Sequence, residues 1–442
     1  MMAKILIVSV GGSCCPVVTA IEKIKPERVV FFCSGGKHSS VVMVKGEGKP
    51  CSAGTGEDSV KLPNILIQTG FEEKFNEKTD LLVVDNPDNL RDCYNVLEEF
   101  IFTTLFTNET EELIADYTGG TKTMSAALAA IAIDFNFSAL FVTTAARDNT
   151  SKVSSGQLPR RVGVTTLYHK RRATQMLPDM IKQYQYSAAV KQMETILMEC
   201  DLPGEFAEEM DVYLNFCMGY EAWDMFDHRK AYECLKPIAG TKAVKDTFLF
   251  LKKVIHSRFI TDEHYGKEAG IQGHKYEVIE DLLLNARRRS FQGKYDDAVG
   301  RVYRAMELLA QIRLKLNYNL ITGNIDTSNP HINEELKKKL EARRNDRGMI
   351  QIALRESYEL LYQLGDPIGI DYKEHNNKLM DALRLRNDSL FAHGFNPLSE
   401  HDYKKIEDSV CRFIERNLEA ITGGKSKKPE QFPVLLRDLW VK

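Results

Sequence analysis

The chain has 442 residues, 43% hydrophobic and 27% charged, which suits two or three domains with sizeable cores. Its formal net charge of −3 excludes a global basic field, so any contact with nucleic acid must be local. Nine cysteines without a C-x-x-C pair exclude a zinc knuckle and a disulfide frame, and read as reduced thiols in a cytosol.

The first stretch, Lys4–Val10 (KILIVSV), is apolar, rich in β-branched residues and closed by Gly11-Gly12-Ser13, the pattern of a buried parallel strand. It is too brief for a signal peptide, and no later run reaches the ~18 apolar residues that would span a bilayer. A cytoplasmic protein without membrane contact is expected. Helical spacing over Val17–Lys25 leads to a second strand, Arg28–Phe32 (RVVFF). Further strand-like runs lie at Asn64–Gln68, Leu81–Val84, Leu113–Tyr117 and Ala139–Thr143, with helical patterns at Asp88–Phe106 and Thr121–Phe135. This alternation predicts an α/β domain with an open, mostly parallel, Rossmann-like sheet and helices on both faces. Residues 147–170 open with a polar, turn-rich stretch and close with VGVTTLYHK, which reads as a strand; together they predict a hairpin or edge extension.

Ligands of such sheets collect beyond the carboxyl ends of the strands. Three loops there carry suitable groups: Gly11, Gly12 and Ser13; Ser34 and Gly35, with Gly36 and Lys37 following; and Thr118-Gly119-Gly120-Thr121-Lys122-Thr123. The last opens an Ala-rich helix whose free N–H groups would face an anion, and Lys122 adds charge. Thr121 stands where a P-loop requires glycine, and no G-x-G-x-x-G follows the first strand, so neither nucleotide fingerprint is met. A nucleotide or phosphodiester is the expected guest.

From Arg171 the periodicity turns helical almost throughout. Residues 171–273 read as an all-α connector whose aromatic cluster (Tyr213, Phe216, Tyr220, Trp223) belongs to a core. A further all-α bundle begins near Tyr276. Its strongest helix, Lys294–Leu316, places Val299, Val302, Met306, Leu309 and Ile312 on one stripe. Arg287-Arg288-Arg289 is a basic run open to two readings, a solvated helix face or a hold on RNA phosphates. Near the C-terminus comes RNDSLFAH, residues 386–393. Arg386 and His393, seven positions apart, fall on one helix face about 10 Å apart along the axis, and Gly394 and Pro397 would end the helix beside His393. Imidazole moves protons near neutrality and a guanidinium grips phosphate oxygens, as RNA cleavage without a metal requires.

RNDSLFAH resembles the R-x4–6-H signature of HEPN ribonucleases, with the frequent Asn directly after the Arg. Thr118–Lys122 resembles the T-G-G-T-K segment of CARF domains, sensors of cyclic oligoadenylate in type III CRISPR defence. In this order the two resemble the CRISPR-associated CARF–HEPN ribonucleases over most of the chain. That resemblance implies a CARF-like sensor (1–170), a helical connector (171–273) and a HEPN-like nuclease (274–442). It implies a homodimer whose paired motifs, Arg386, Asn387 and His393, line one groove for single-stranded RNA. No metal and no cofactor would be needed. A cyclic oligoadenylate, tetra-adenylate rather than hexa-adenylate, would activate the enzyme from a pocket of Gly11, Gly12, Ser13, Ser34, Gly35, Thr118, Gly119, Gly120, Thr121 and Lys122. A ligand-sensing transcription regulator without nuclease activity is the alternative, but no clear helix-turn-helix pattern is present in the last third. A mononucleotide-converting enzyme working through the glycine loop is a second one.

Overall fold

The β-branched apolar runs of the first third become adjacent strands because both of their faces can be covered. A computed structural model describes residues 3–53, 60–105, 111–147, 153–199, 204–262, 270–387, 394–424 and 431–434. It divides into two compact units, one of residues 1–174 with 199–202, the other of 175–198 with 203–442.

The first unit runs β1 (Ala3–Val10), α1 (Cys15–Ile24), β2 (Arg28–Ser34), α2 (Val41–Lys45), β3 (Cys51–Ala53), β4 (Val60–Leu62), α3 (Ile65–Thr69) and α4 (Glu77–Asp80). It continues with β5 (Leu81–Val84), α5 (Leu90–Leu105), β6 (Glu111–Asp116), α6 (Lys122–Asp134), β7 (Ala139–Arg147), β8 (Val153–Val162) and α7 (Val164–Lys182), whose last residues belong to the second unit. The main sheet has the order β5-β2-β1-β6-β7-β8, parallel except for the antiparallel edge pair β7–β8. Alternate residues of each strand serve opposite cores, as the pleat demands. Ile5, Ile7, Val30 and Phe32 pack with Leu97 of α5 and Leu128 of α6. Leu6, Val8, Phe31 and Cys33 pack with Val17 of α1 and Ile65 of α3. The expected α/β domain is therefore present, with helices on both faces.

Three local expectations are corrected. Asn64–Gln68 is not a strand: Asn64 Oδ1 accepts from Ile67 N at 3.0 Å, and Gly70 at φ 69° closes a short helix. The edge strand is the polar stretch 153–162, while residues 164–170 begin α7. An edge strand has one unpaired side and needs no apolar run, so hydrophobicity alone misplaces it. Cys14 and Cys51 are bonded to each other, with Cα atoms 5.7 Å apart. The turn into α1 and β3 lie side by side although 37 positions separate the cysteines in sequence, and no spacing rule reveals such a pair.

The second unit is helical: α8 (Tyr186–Glu199), α9 (Gly204–Asp224), α10 (His228–Leu235), α11 (Lys245–Arg258), α12 (Glu277–Phe291) and α13 (Tyr295–Tyr318). Then come α14 (Glu334–Glu341), α15 (Leu354–Gln363), α16 (Pro367–Asn387), α17 (Glu400–Ile406) and α18 (Arg412–Thr422), the last two joined by a π-helical turn. The stripe expected on α13 is buried in full, Val299, Val302, Met306, Leu309 and Ile312 each being at most 2% exposed. They meet Tyr358 and Leu361 of α15, Leu379 of α16 and Phe413 of α18 in one core. Phe216, Tyr220 and Trp223 are likewise buried, as a core cluster should be.

Candidate functional site

β1 and β6 are neighbours in register, Val8 opposite Asp116, so the loops that follow them leave the sheet side by side. Ser9 Oγ donates to Gly119 O at 2.8 Å. A Cβ on Gly119 would lie 2.2 Å from Ser9 O, and one on Gly11 would lie 2.7 Å from Gly120 N, so only glycine permits this approach. Gly120 holds φ +79° and turns the chain into α6. Gly35, after β2 on the other side of β1, leans on β5, its N–H donating to Val84 O at 2.8 Å. The three loops thus stand along one edge, at the ends of adjacent strands.

The two threonines of the glycine loop are occupied with its architecture. Thr121 caps α6, accepting from Met124 N at 3.2 Å, and its proton goes to Pro87 O at 2.7 Å. Thr118 donates its hydroxyl proton to Asp116 Oδ1 and accepts from Thr143 N at 2.6 Å. Asp116 also accepts from Thr118 N at 2.9 Å and Thr143 Oγ1 at 3.0 Å. Burial pushes its carboxyl above the usual value against the pull of these donors. Ser34 closes its own turn, its hydroxyl accepting from Ser40 N at 3.1 Å. Exposed groups are left at Gly12 and Ser13, at Gly36 and Lys37 of the second loop, and at Lys122, where N–H groups open α6. The edge can therefore present backbone donors and the ammonium groups of Lys37 and Lys122 to an anion. Asp116, Thr143 and Ser125, which donates to Gly119 O at 2.9 Å, brace the loop and were missed in the sequence. An aspartate closing an otherwise apolar strand was the available signal.

In the second unit, α16 directs Ala382 and Leu383 into the core, and Arg386, three and four positions on, continues that face. Its guanidinium carbon lies 4.6 Å from the centroid of the Tyr303 ring on α13. Asn387 is the last residue of α16, while residues 388–393, His393 among them, lie outside the described residues. The chain after the motif is tied to the start of α13, Leu398 N donating to Asp296 Oδ2 at 3.1 Å.

Arg288 and Arg289 are corrected from their phosphate reading. They are 1% and 8% exposed and both hold Asp224, at 2.8 and 2.5 Å. The ring of Phe432 also covers Arg288, 3.6 Å from its guanidinium carbon. Arg287 pairs with Glu415. Around them, Asp281 accepts from Trp223 Nε1 at 3.0 Å and lies 2.9 Å from His228 Nε2. This buried polar cluster joins α9 and α10 to α12. Elsewhere on α16, Asp371, Glu374 and His375 could converge on a metal ion, but Asp371 is held by Arg416 at 2.7 Å and Asn417 at 2.6 Å. His375 lies about 16 Å along the helix from Arg386. An ion there would not touch a phosphate that Arg386 holds.

No helix among the described residues is long and apolar enough to cross a membrane. Residues 267–417 match the Csm6 HEPN domain family, and residues 179–257 match the Csm6 6H domain family. The fold is similar to a solved structure of Enterococcus italicus Csm6 bound to cyclic hexa-2′-fluoro-hexa-dAMP. That match has a TM-score of 0.54 and 13% identity, and covers 96% of each chain. No curated protein matches the sequence.

Proposed function

Since the chain belongs to the CRISPR-associated CARF–HEPN nucleases of the Csm6 family, we propose that it is a cyclic oligoadenylate-activated endoribonuclease of type III CRISPR defence, cutting single-stranded RNA in the cytoplasm without a metal. The observation that carries this reading is the HEPN match over 267–417, which contains Arg386, Asn387 and His393.

In this reading the chain divides into a sensor (1–170), a connector (171–273) and a nuclease (274–442), and two nuclease bundles pair about a two-fold axis. Both copies of Arg386 then face one phosphate. A phosphorane carries more negative charge than the diester it forms from, so fixed guanidinium donors favour the transition state over the ground state. His393 exchanges protons with the 2′-hydroxyl or the 5′-oxygen leaving group, and Asn387 hydrogen-bonds and orients the phosphate or the partner side chains. Attack by the 2′-oxygen leaves 2′,3′-cyclic phosphate and 5′-hydroxyl ends. The activator lies on the strand-end edge of Gly11, Gly12, Ser13, Ser34, Gly35 and Thr118–Lys122, where Gly12, Ser13 and Lys122 are exposed. Cyclic tetra-adenylate is the expected ring. Filling the edge shifts the population towards a competent groove, provided the ring binds that state more tightly.

Cleavage in excess EDTA, with the product ends analysed, tests the chemistry. Undiminished cleavage that leaves cyclic phosphate and 5′-hydroxyl ends is expected. Loss of activity on chelation, or 5′-phosphate ends, would overturn the scheme.

A further inference from the structure

We propose that the segment at Gln431 and Phe432 is a strap that locks α8 and α9 onto α12, and that stimulation of the nuclease by the bound ring requires this lock. The proposal rests on the activated-nuclease reading given above.

The matched 6H family ends at residue 257 and the matched HEPN family at 417, so the strap lies outside both. It is nevertheless built like a piece of core. Phe432 is 3% exposed. Its ring centroid lies 4.7 Å from that of Tyr220 and 4.8 Å from that of Trp223, both on α9, and 6.1 Å from that of Tyr186 on α8. From α12 comes Arg288, its guanidinium carbon 3.6 Å from the same centroid. Gln431 fixes the approach: its Oε1 accepts from Arg288 Nη1 at 2.9 Å, and its Nε2 donates to Leu284 O at 2.8 Å. One ring thus fills a socket to which the 6H helices and the first nuclease helix both contribute. Burial of the ring and pairing of the amide hold the segment there.

The socket sits between the end of the sensor and the helix that carries Arg386. The last residues of α7 belong to the second unit, and the turn after them is tied to the end of α12. Gln292 Nε2 donates to Gln183 O at 3.0 Å and to Tyr184 O at 2.9 Å. Ile279, Leu282 and Leu283 of α12 share a core with Val302 and Met306 of α13 and with Ala382 and Leu383 of α16. Close-packed interiors transmit a displacement instead of absorbing it. With the socket filled, α12 has to follow α8 and α9, and the core passes that movement to α16. With the socket empty, α12 can stay behind.

The test is cleavage of single-stranded RNA by the full chain, without a ring and at saturating cyclic tetra-adenylate or cyclic hexa-adenylate. Every variant is assayed below its own melting transition, and ring binding is measured separately. In F432A the stimulation should fall about fivefold or more, the size of a modest coupling, while the rate without a ring stays within about twofold and the ring still binds. F432L refills most of the socket and should be stimulated like wild type. Q431A keeps the ring buried but removes both hydrogen bonds to α12, and should lose about twofold or more of the stimulation. An F432A variant stimulated as strongly as wild type overturns the proposal. So does a fall shared equally by the rates with and without a ring, which would leave the strap a role in folding alone. Where F432A does not fold, undiminished stimulation of Q431A overturns it. A wild type that no ring stimulates, or an R386A variant that cuts as fast as wild type, removes the activated-nuclease reading itself, and does so before any strap variant is compared.

Discussion

Asp116 stands at the end of a central strand with a carboxyl that three hydrogen bonds tie to Thr118 and Thr143 and that burial nevertheless pushes upward. A raised folded value means that the fold prefers the protonated form. The stabilisation is complete below the unfolded carboxyl value and is lost as pH rises through the folded one. Wild type should therefore lose stability relative to D116N as pH climbs from the usual carboxyl value of 3.8 towards neutrality, measured as the difference between their melting curves. Parallel pH profiles would contradict this. The residues around Asp116 also mark how far the sequence could be read. The T-G-G-T-K segment was legible as a loop opening a helix because its glycines and its capping threonine are local signals. That Thr121 commits its proton to Pro87 and that Thr118 accepts from Thr143 N was not, because those partners lie 34 and 25 positions away in the chain.

Among the elements, the periodic ones were legible and the tertiary exceptions were not. α13 was readable because five apolar residues on one stripe leave a helix no other way to bury them. Asn64–Gln68 is five residues long, and at that length an apolar run suits a strand or a helical turn equally well; the Asn64 cap and Gly70 decide it. The basic run on α12 misled for a related reason, since charge marks a surface only while no buried acid awaits it. With Arg288 wholly buried against Asp224, R288A should destabilise the second unit by about 2–4 kcal/mol, because it removes one of the two cations on that carboxylate, leaving Arg289 alone there, and empties the space beneath the Phe432 ring. R287A breaks a half-exposed pair and should cost less than about 1 kcal/mol. Denaturant unfolding of both variants checks the contrast. An R288A chain that unfolds like wild type but binds RNA poorly would restore the phosphate reading.

For the whole molecule, one chain carries a strand-end edge with anion-binding chemistry in its first unit and an arginine with phosphate-binding chemistry in its second. A sensor and a nuclease on one polypeptide are worth coupling only if filling the first changes the rate at the second, and the coupling is set by how differently the ring binds the two states. The order of the two motifs was legible from sequence. Contacts between residues far apart in the chain, on which any coupling would depend, were not. The most direct test is RNA cleavage by wild type, R386A and H393A, each with and without cyclic tetra-adenylate or cyclic hexa-adenylate. Stimulation of wild type by at least one ring, with both variants reduced by a hundredfold or more (about 2.7 kcal/mol or more of lost transition-state stabilisation), is the predicted result. Cleavage by wild type that no ring accelerates, or variants that cut as well as wild type, would contradict it.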